Sequence, residues 1–403
     1  GLLLDEKTRG ENIHLDLSPF DPLNELFRLK ETKSLIHLEL LEPNFLPYQL
    51  FEENLQFYYA HQDDFDEQLL VFKDSLGLGD RDSSLLLLRN KLYYLGDLES
   101  DRRQHSDLFD HDLEAALKNF QKRHLLEANG ILDALSVKTI NRPLKEIIAE
   151  MQLNLERWRW LPSYLGYYIA FANLAAFEMS LIKEDSLLLR QNIVCGKVNR
   201  KTPVFSEKMI YIDINPTWTV PPTILQNDIL PAIRRSSNYL SKTNIKVLDL
   251  STGKYVSGAE INWAKASSYK YIQGPGLSNS LGVVKFIFPN DYYIFFHDTP
   301  HKEHFPLKVR AYSSGCVRLS QPLELASILL SYNEKSYTTE DIDTIVVSQK
   351  TTRILLDEQP QVYIHYLTQE VKDGLLYQYP DIYSYNGDLK KAFDLARKQA
   401  SSR

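Results

Sequence analysis

A chain of 403 residues with 43% apolar and 25% charged side chains has ordinary globular composition and room for two or three domains. Its formal net charge of −7, with no Lys/Arg run, argues against a nucleic-acid partner. No apolar run approaches the ~20 residues that span a bilayer. The two cysteines, Cys195 and Cys316, can pair or both be free, but they make no disulfide framework.

Residues 1–84 are expected to be mainly helical. Leu50, Phe51, Leu55 and Tyr58 recur at helical spacing after Pro47, and Phe65 to Leu76 is a second candidate helix through Leu69, Leu70 and Phe72. The acidic cluster Asp63-Asp64-Asp66-Glu67 reads as a solvated helix start. In residues 85–142, Leu88 and Leu92 precede Tyr94-Leu95-Gly96-Asp97. Asp110 then caps a helix with an apolar face of Leu113, Ala116, Leu117 and Phe120. Asn129-Gly130 is a turn, and Val137 to Ile140 follows. Arg102-Arg103-Gln104-His105 reads as a loop insertion. Residues 143–166 are a linker helix ending in Trp158-Arg159-Trp160-Leu161-Pro162, whose tryptophans dock a helix end or meet a sugar; docking is the better reading.

From Tyr167 the pattern changes to period two. Phe177, Met179 and Leu181 alternate, Lys183-Glu184-Asp185-Ser186 turns, and Leu187 to Cys195 returns as a hairpin. Ile210, Ile212 and Ile214 alternate next. Short strands with frequent turns predict a β-sandwich or barrel. Cys195, beside Ile193, reads as a structural thiol. Residues 219–270 break the rhythm with Pro221-Pro222, a helix near Ile224–Tyr239, and Trp263. An insertion of this size is usually functional, for example a lid. Trp218 and Trp263 either line a groove beneath it or anchor it. The glycine-rich Gln273 to Gly282 lacks the Gly-Lys-Ser/Thr of a phosphate loop and reads as entry to a hairpin turning at Pro289-Asn290-Asp291.

The chemistry concentrates in Phe295-Phe296-His297-Asp298-Thr299-Pro300 and Arg310-Ala311-Tyr312-Ser313-Ser314-Gly315-Cys316-Val317-Arg318. A nearby imidazole makes a thiolate accessible at neutral pH. Gly315 permits a tight turn and leaves backbone N–H groups open to an oxyanion. Phe305 to Ala311 is predicted as a strand and Pro322 onward as a helix, with Cys316 on the loop between them. A buried, inert cysteine is the competing reading, but Ser, Ser, Gly and Arg are not the neighbours of one. His297, His301 and His304 are a weak metal candidate, because Pro300 and Pro306 break any helix that would align them. There is no Gly-x-Ser-x-Gly elbow. A papain-like order would place Cys before His.

These two motifs resemble the signature of the L,D-transpeptidases, cell-wall cross-linking enzymes with a catalytic-cysteine β-sandwich domain. The His-Asp-Thr-Pro version is similar to that of the large, multidomain Gram-negative branch. Residues 85–142 resemble its small three-helix peptidoglycan-binding module. Arg-Trp-Arg-Trp-Leu-Pro at 157–162, the Pro-Gly segment at 275–282, Tyr363 to Thr368 and Asp381-Ile382-Tyr383 resemble further elements of that branch.

The resemblance implies an α+β multidomain protein. Its parts are a helical scaffold at 1–84, the module at 85–142, a linker helix at 143–166, a catalytic domain at 167–335 with a capping insertion at 219–270, and a C-terminal strand and helix at 336–403. Cys316 is the expected nucleophile and His297 its base, with Ser314 and Gly315 in the nucleophile turn. A backbone carbonyl near Ser313 or Ser314 orients the imidazole, and N–H groups of Gly315 and Cys316 face the oxyanion. Ser313, Trp218, Asn279, Thr299 and Arg318 are expected toward substrate. Arg318 holds a carboxylate or fastens the loop.

The implied reaction joins peptidoglycan stem peptides 3→3 through an acyl-thioester, with no metal or organic cofactor and with carbapenem β-lactams as inhibitors. The alternatives are an L,D-carboxypeptidase or endopeptidase using the same site, or a non-catalytic wall-binding protein. The implied location is the periplasm. The start Gly1-Leu2-Leu3-Leu4, without Met or leader, then reads as a chain whose export signal or membrane anchor lies outside it.

Overall fold

Pro47 starts the first helix among the described residues, α1 (Leu46–Ala60), from a position where its missing N–H costs no hydrogen bond. The helix buries Tyr48, Phe51, Leu55 and Tyr58. The computed structural model describes residues 13–14, 43–63, 68–72, 74–99 and 106–401. Two units divide it. One holds the described residues up to Leu165 together with those from Tyr366 on; the other is Gly166–His365. The tail 336–403 is therefore shared between them. Among the described residues no helix is long and apolar enough to cross a membrane.

In the first unit, α2 (Leu85–Tyr94), α3 (His111–Arg123) and α4 (Ala134–Ile140) follow in order. The Asp110 side chain accepts from the Leu113 N–H at 2.9 Å, and Asp133 caps α4 in the same way at 2.7 Å. Acidic residues in the first turn of α3 and basic ones in its last complement the helix dipole. Leu113, Ala116, Leu117 and Phe120 are its buried face, as the spacing predicts. Gln121 closes the Asn129-Gly130 turn, accepting from the Gly130 N–H and donating to Ile131 O, both at 2.9 Å. A linker helix, α5 (Leu144–Trp158), follows, and both Trp158 and Trp160 are buried. The tryptophans are thus core anchors, not sugar platforms.

Two expectations change here. The Phe65–Leu76 stretch is not a helix where it is described: Leu70 hydrogen-bonds the Asn141 side chain, and Leu76 bridges Leu132. Long-range pairing has overridden a local apolar pattern. Residues 64–67, with most of the acidic cluster, and the insertion at 102–105 lie outside the described residues.

The second unit is built on strands β1 (Tyr168–Asn173), β2 (Glu178–Lys183), β3 (Ser186–Gly196), β4 (Val204–Lys208) and β5 (Tyr211–Ile214). The β2–β3 hairpin turns on Glu184 and Asp185, both at positive φ, as a two-residue turn requires. The insertion contributes β6 (Trp218–Thr219), β7 (Ile245–Asp249), β8 (Tyr255–Val256) and β9 (Tyr269–Gln273). Then come β10 (Val284–Ile287), β11 (Phe296–His297), β12 (Ala311–Ser313) and β13 (Val317–Leu319). Helices α6 (Pro322–Ser331) and α7 (Thr339–Ser348) precede β14 (Thr352–Leu355) and β15 (Gln361–His365). The strands bond in the order β4-β15-β1-β2-β3-β13-β11-β10-β5-β14, with β12 also on β3. The fold class is α+β, with a large β-sheet domain carrying the cysteine.

The insertion is more ordered than its broken periodicity suggests. It holds its own sheet, in the order β6-β9-β7-β8, over a core that includes Val220, Leu225, Ile229, Ile245, Val247 and Tyr271. The single helix expected at Ile224–Tyr239 is interrupted. A π-turn at Leu225–Ile229 runs into Leu230–Arg235, and Ser236 is extended. Pro231 has no N–H to return to Asn227, so the chain widens there.

Candidate active site

Strands β11 and β13 run parallel, with Phe296 opposite Val317 and His297 opposite Arg318. Side chains alternate across a strand, so Phe296 and Val317 point into the core, where both are fully buried. Phe295, His297, Cys316 and Arg318 share the other face. Cys316 lies in the three-residue turn joining β12 to β13, and the helix begins only at Pro322. The cysteine is therefore between two strands, not between a strand and a helix. The predicted strand from Phe305 also shrinks to Ala311–Ser313. The Arg310 guanidinium turns inward to the carbonyls of Leu307, Ile193 and Phe177, and this buried anchor replaces a ladder.

The turn is held at every residue. Gly315 has φ +126°, and a Cβ there would meet Ile294 at 3.2 Å. Ser313 Oγ donates to Cys316 O at 2.5 Å and accepts from the Gly315 N–H at 3.1 Å. The Lys197 N–H donates to Ser313 O at 3.0 Å, and Thr202 Oγ1 donates to Gly315 O at 2.6 Å. Arg200 Nη1 donates to Ser314 Oγ at 2.9 Å. One expectation is corrected by this: the Gly315 N–H is bonded to Ser313 Oγ and is not open to an oxyanion. The same hydroxyl of Ser313 holds the turn through Cys316 O.

His297 is buried, and its Nδ1 lies 2.5 Å from the backbone carbonyl of Asp298. A carbonyl only accepts, so Nδ1 carries the proton and Nε2 keeps a basic lone pair. The orienting carbonyl is thus that of Asp298, not of Ser313 or Ser314. Burial, reinforced by Arg318, pushes the imidazole pKa down to about 3. Cys316 is partly open, with Sγ 3.6 Å from Tyr293 O. Burial raises its thiol to about 11, opposed by a Phe295 backbone hydrogen bond and by Arg318. Both groups rest neutral at pH 7. The Asp298 carboxylate does not alter this: it accepts from the Val283 N–H at 2.9 Å and pairs with Lys302. It packs against Gly282, where a Cβ would lie 2.2 Å from Oδ2.

Among the described residues Arg318 makes no ion pair with a carboxylate; Glu303 acts on it only at longer range. Its buried Nε is unsatisfied among the described residues, and Nη1 is 3.5 Å from His304 Nδ1. His304 itself stacks on Tyr312 at 4.6 Å. Three other candidates hold the scaffold. Asn279 is buried, donating to Pro216 O and Gly274 O and accepting from the Leu281 N–H. Thr299 is buried and accepts from the His301 N–H. Trp218 pairs with Gln273 across the insertion sheet and packs on its core. Trp263 lines a separate cavity within the insertion. Among the described residues, no group of three His, Cys, Asp or Glu could hold a metal. Cys195 is a fully buried thiol whose sulfur lies 3.9 Å from Leu174 O.

Sequence reasoning missed Thr202, Arg200, Gly282 and the Asp298 carbonyl. Thr202 and Arg200 are more than a hundred residues from Cys316, with no motif to mark them. The glycine of the Leu281-Gly282-Val283 step was the one available signal.

Residues 167–355 match the L,D-transpeptidase catalytic domain (YkuD) family, and residues 81–139 match the family described as "Putative peptidoglycan binding domain". A curated Haemophilus influenzae protein, described as "Putative L,D-transpeptidase", is 31% identical over 258 residues, covering 62% of this chain and 52% of the relative. The chain thus spans about half the length of that relative. A solved L,D-transpeptidase from Stackebrandtia nassauensis is 13% identical with a TM-score of 0.27, covering 72% of this chain and 96% of that one. L,D-transpeptidase 3 of Mycobacterium tuberculosis, solved with a faropenem-derived adduct, is 10% identical with a TM-score of 0.24, covering 49% of this chain and 60% of that one. The chain thus carries an L,D-transpeptidase catalytic domain at residues 167–355, preceded by a peptidoglycan-binding domain at residues 81–139.

Proposed function

We propose that this chain forms 3→3 cross-links between peptidoglycan stem peptides through an acyl-thioester on Cys316. The observation that supports this is a neutral thiol in the turn leading into β13 and, on the adjacent strand β11, a buried, neutral imidazole whose Nδ1 is pinned to Asp298 O. As sulfur attacks the diaminopimelate carbonyl of a tetrapeptide stem, His297 Nε2 takes the thiol proton. The tetrahedral oxyanion is met by the Cys316 N–H. Collapse breaks the C–N bond, and His297 returns the proton to the departing D-Ala amine. The side-chain amine of a second stem's diaminopimelate then attacks the thioester. His297 takes its proton and gives it to the leaving sulfur, restoring the thiol.

Arg318, with an unsatisfied Nε at this face, holds a carboxylate of the donor stem. A strained β-lactam carbonyl would acylate the same sulfur, so carbapenems are the expected inhibitors. Residues 85–142 act as the glycan-strand module, residues 219–270 as a cover over the groove, and the site of action is the periplasm. Mass spectrometry after incubation with disaccharide-tetrapeptide tests the reaction. A dimer lighter by one D-Ala supports transpeptidation. Tripeptide alone means hydrolysis, and unchanged substrate means a wall-binding protein without this activity.

A further inference from the structure

The loop between β3 and β4 meets the nucleophile turn and the insertion together. Gly196 lets it fold back on itself: a Cβ there would lie 2.2 Å from Arg200 O. Its Arg200 bridges two elements through one nitrogen, with Nη1 2.9 Å from Ser314 Oγ and 2.5 Å from Asp228 Oδ2. Asp228 belongs to the π-turn of the insertion. Nε and Nη2 of Arg200 have no partner among the described residues. Arg200 lines a polar cleft of about 590 Å³ together with Asn199, Thr223, Asn227 and Ser314. The lining therefore offers one cation, two amides and two hydroxyls, and Ser314 is two residues along the chain from Cys316.

We propose that this cleft is a carboxylate subsite for a stem peptide, with Arg200 as its anchor and Asp228 as the group the substrate competes with; this rests on the peptidoglycan reading above. A planar guanidinium binds a carboxylate through two parallel N–H donors. Nη1 is taken by Asp228 and Ser314, which leaves Nε and Nη2 as the fork for such a carboxylate. The amides and hydroxyls suit the peptide groups flanking the carboxylate. Asp228 is partly exposed and shares the same guanidinium, so it lowers the gain from a second carboxylate. Binding would shift Arg200 from Asp228 toward substrate and loosen the tie between insertion and turn. The subsite thereby reads the stem peptide at the point where the cover meets the nucleophile turn.

The test separates binding from turnover by using Cys316→Ala protein. Calorimetry would measure its affinity for the tetrapeptide L-Ala-γ-D-Glu-diaminopimelate-D-Ala and for three forms, each with one carboxylate amidated. Arg200→Gln should weaken the unmodified peptide about tenfold, as loss of a charge-assisted contact does. One amidated form should bind equally well with Arg or Gln at 200. Arg200→Lys should recover part of the loss, and Asp228→Asn should tighten the unmodified peptide. The thermal midpoint of each variant checks that the fold persists. Unchanged affinity in Arg200→Gln, or an equal loss for all four peptides, overturns the subsite. If the protein with Arg200 intact binds none of the four, the peptidoglycan reading itself fails and the subsite with it.

Discussion

The protonation state of the Cys316–His297 pair makes the sharpest prediction. Burial raises the thiol from 9.0 to about 11. At pH 7 that lowers the thiolate fraction from about one in a hundred to about one in ten thousand. Alkylation by neutral iodoacetamide at pH 7 should therefore be about a hundredfold slower than for a free thiol of ordinary pKa. The rate should climb about tenfold per pH unit through pH 9, with no plateau below ~10. His297→Ala removes no positive charge, because the imidazole, held down to about 3, is neutral across this range. The mutant should keep its inflection in the alkaline range, moved somewhat toward 9 as water enters the pocket. In the same picture His297 stays competent as a base down to low pH, and kcat/KM should be flat from about pH 5 to about pH 9. A wild-type alkylation inflection below neutrality, absent in His297→Ala, would mean a thiolate–imidazolium pair and would refute the reasoning.

Further outcomes follow from the same geometry. Cys316→Ala should lose cross-linking and the carbapenem adduct completely, while Cys195→Ala keeps the adduct and loses on the order of 1 kcal/mol of stability for its buried sulfur; intact mass and denaturant melts read both. Gly282→Ala, at φ +60° and against the Asp298 carboxylate, should cut kcat more than tenfold without touching a reacting atom, by shifting the residue whose carbonyl orients His297. Normal turnover in that variant would detach Asp298 from the mechanism. Hydrogen exchange across residues 219–270 should change when Cys316 is acylated; identical protection with full acylation would count against a cover.

What the sequence determined by itself is local. The Asp110 cap, the Glu184-Asp185 turn, the period-two strands and the His-then-Cys order are all properties of short stretches. Short-range geometry and chemistry act on them directly. The apolar neighbours of His297, Phe295 and Phe296, are legible in the sequence; the commitment of the Asp298 carboxylate to Lys302 and the Val283 N–H is not.

Tertiary structure alone decided the rest, because long-range pairing chooses which polar groups are already satisfied. Asn279, Thr299 and Ser313 each hold backbone in ways that no motif in the sequence announces. The orienting carbonyl moved from the cysteine loop to the residue after His297, since the parallel β11–β13 register sets where the imidazole edge lies. Arg200 and Thr202 reach the nucleophile turn across more than a hundred residues of chain. Such contacts leave no spacing in one sequence. They exist because the β3–β4 loop folds over the turn, and only the closed sheet brings the two together.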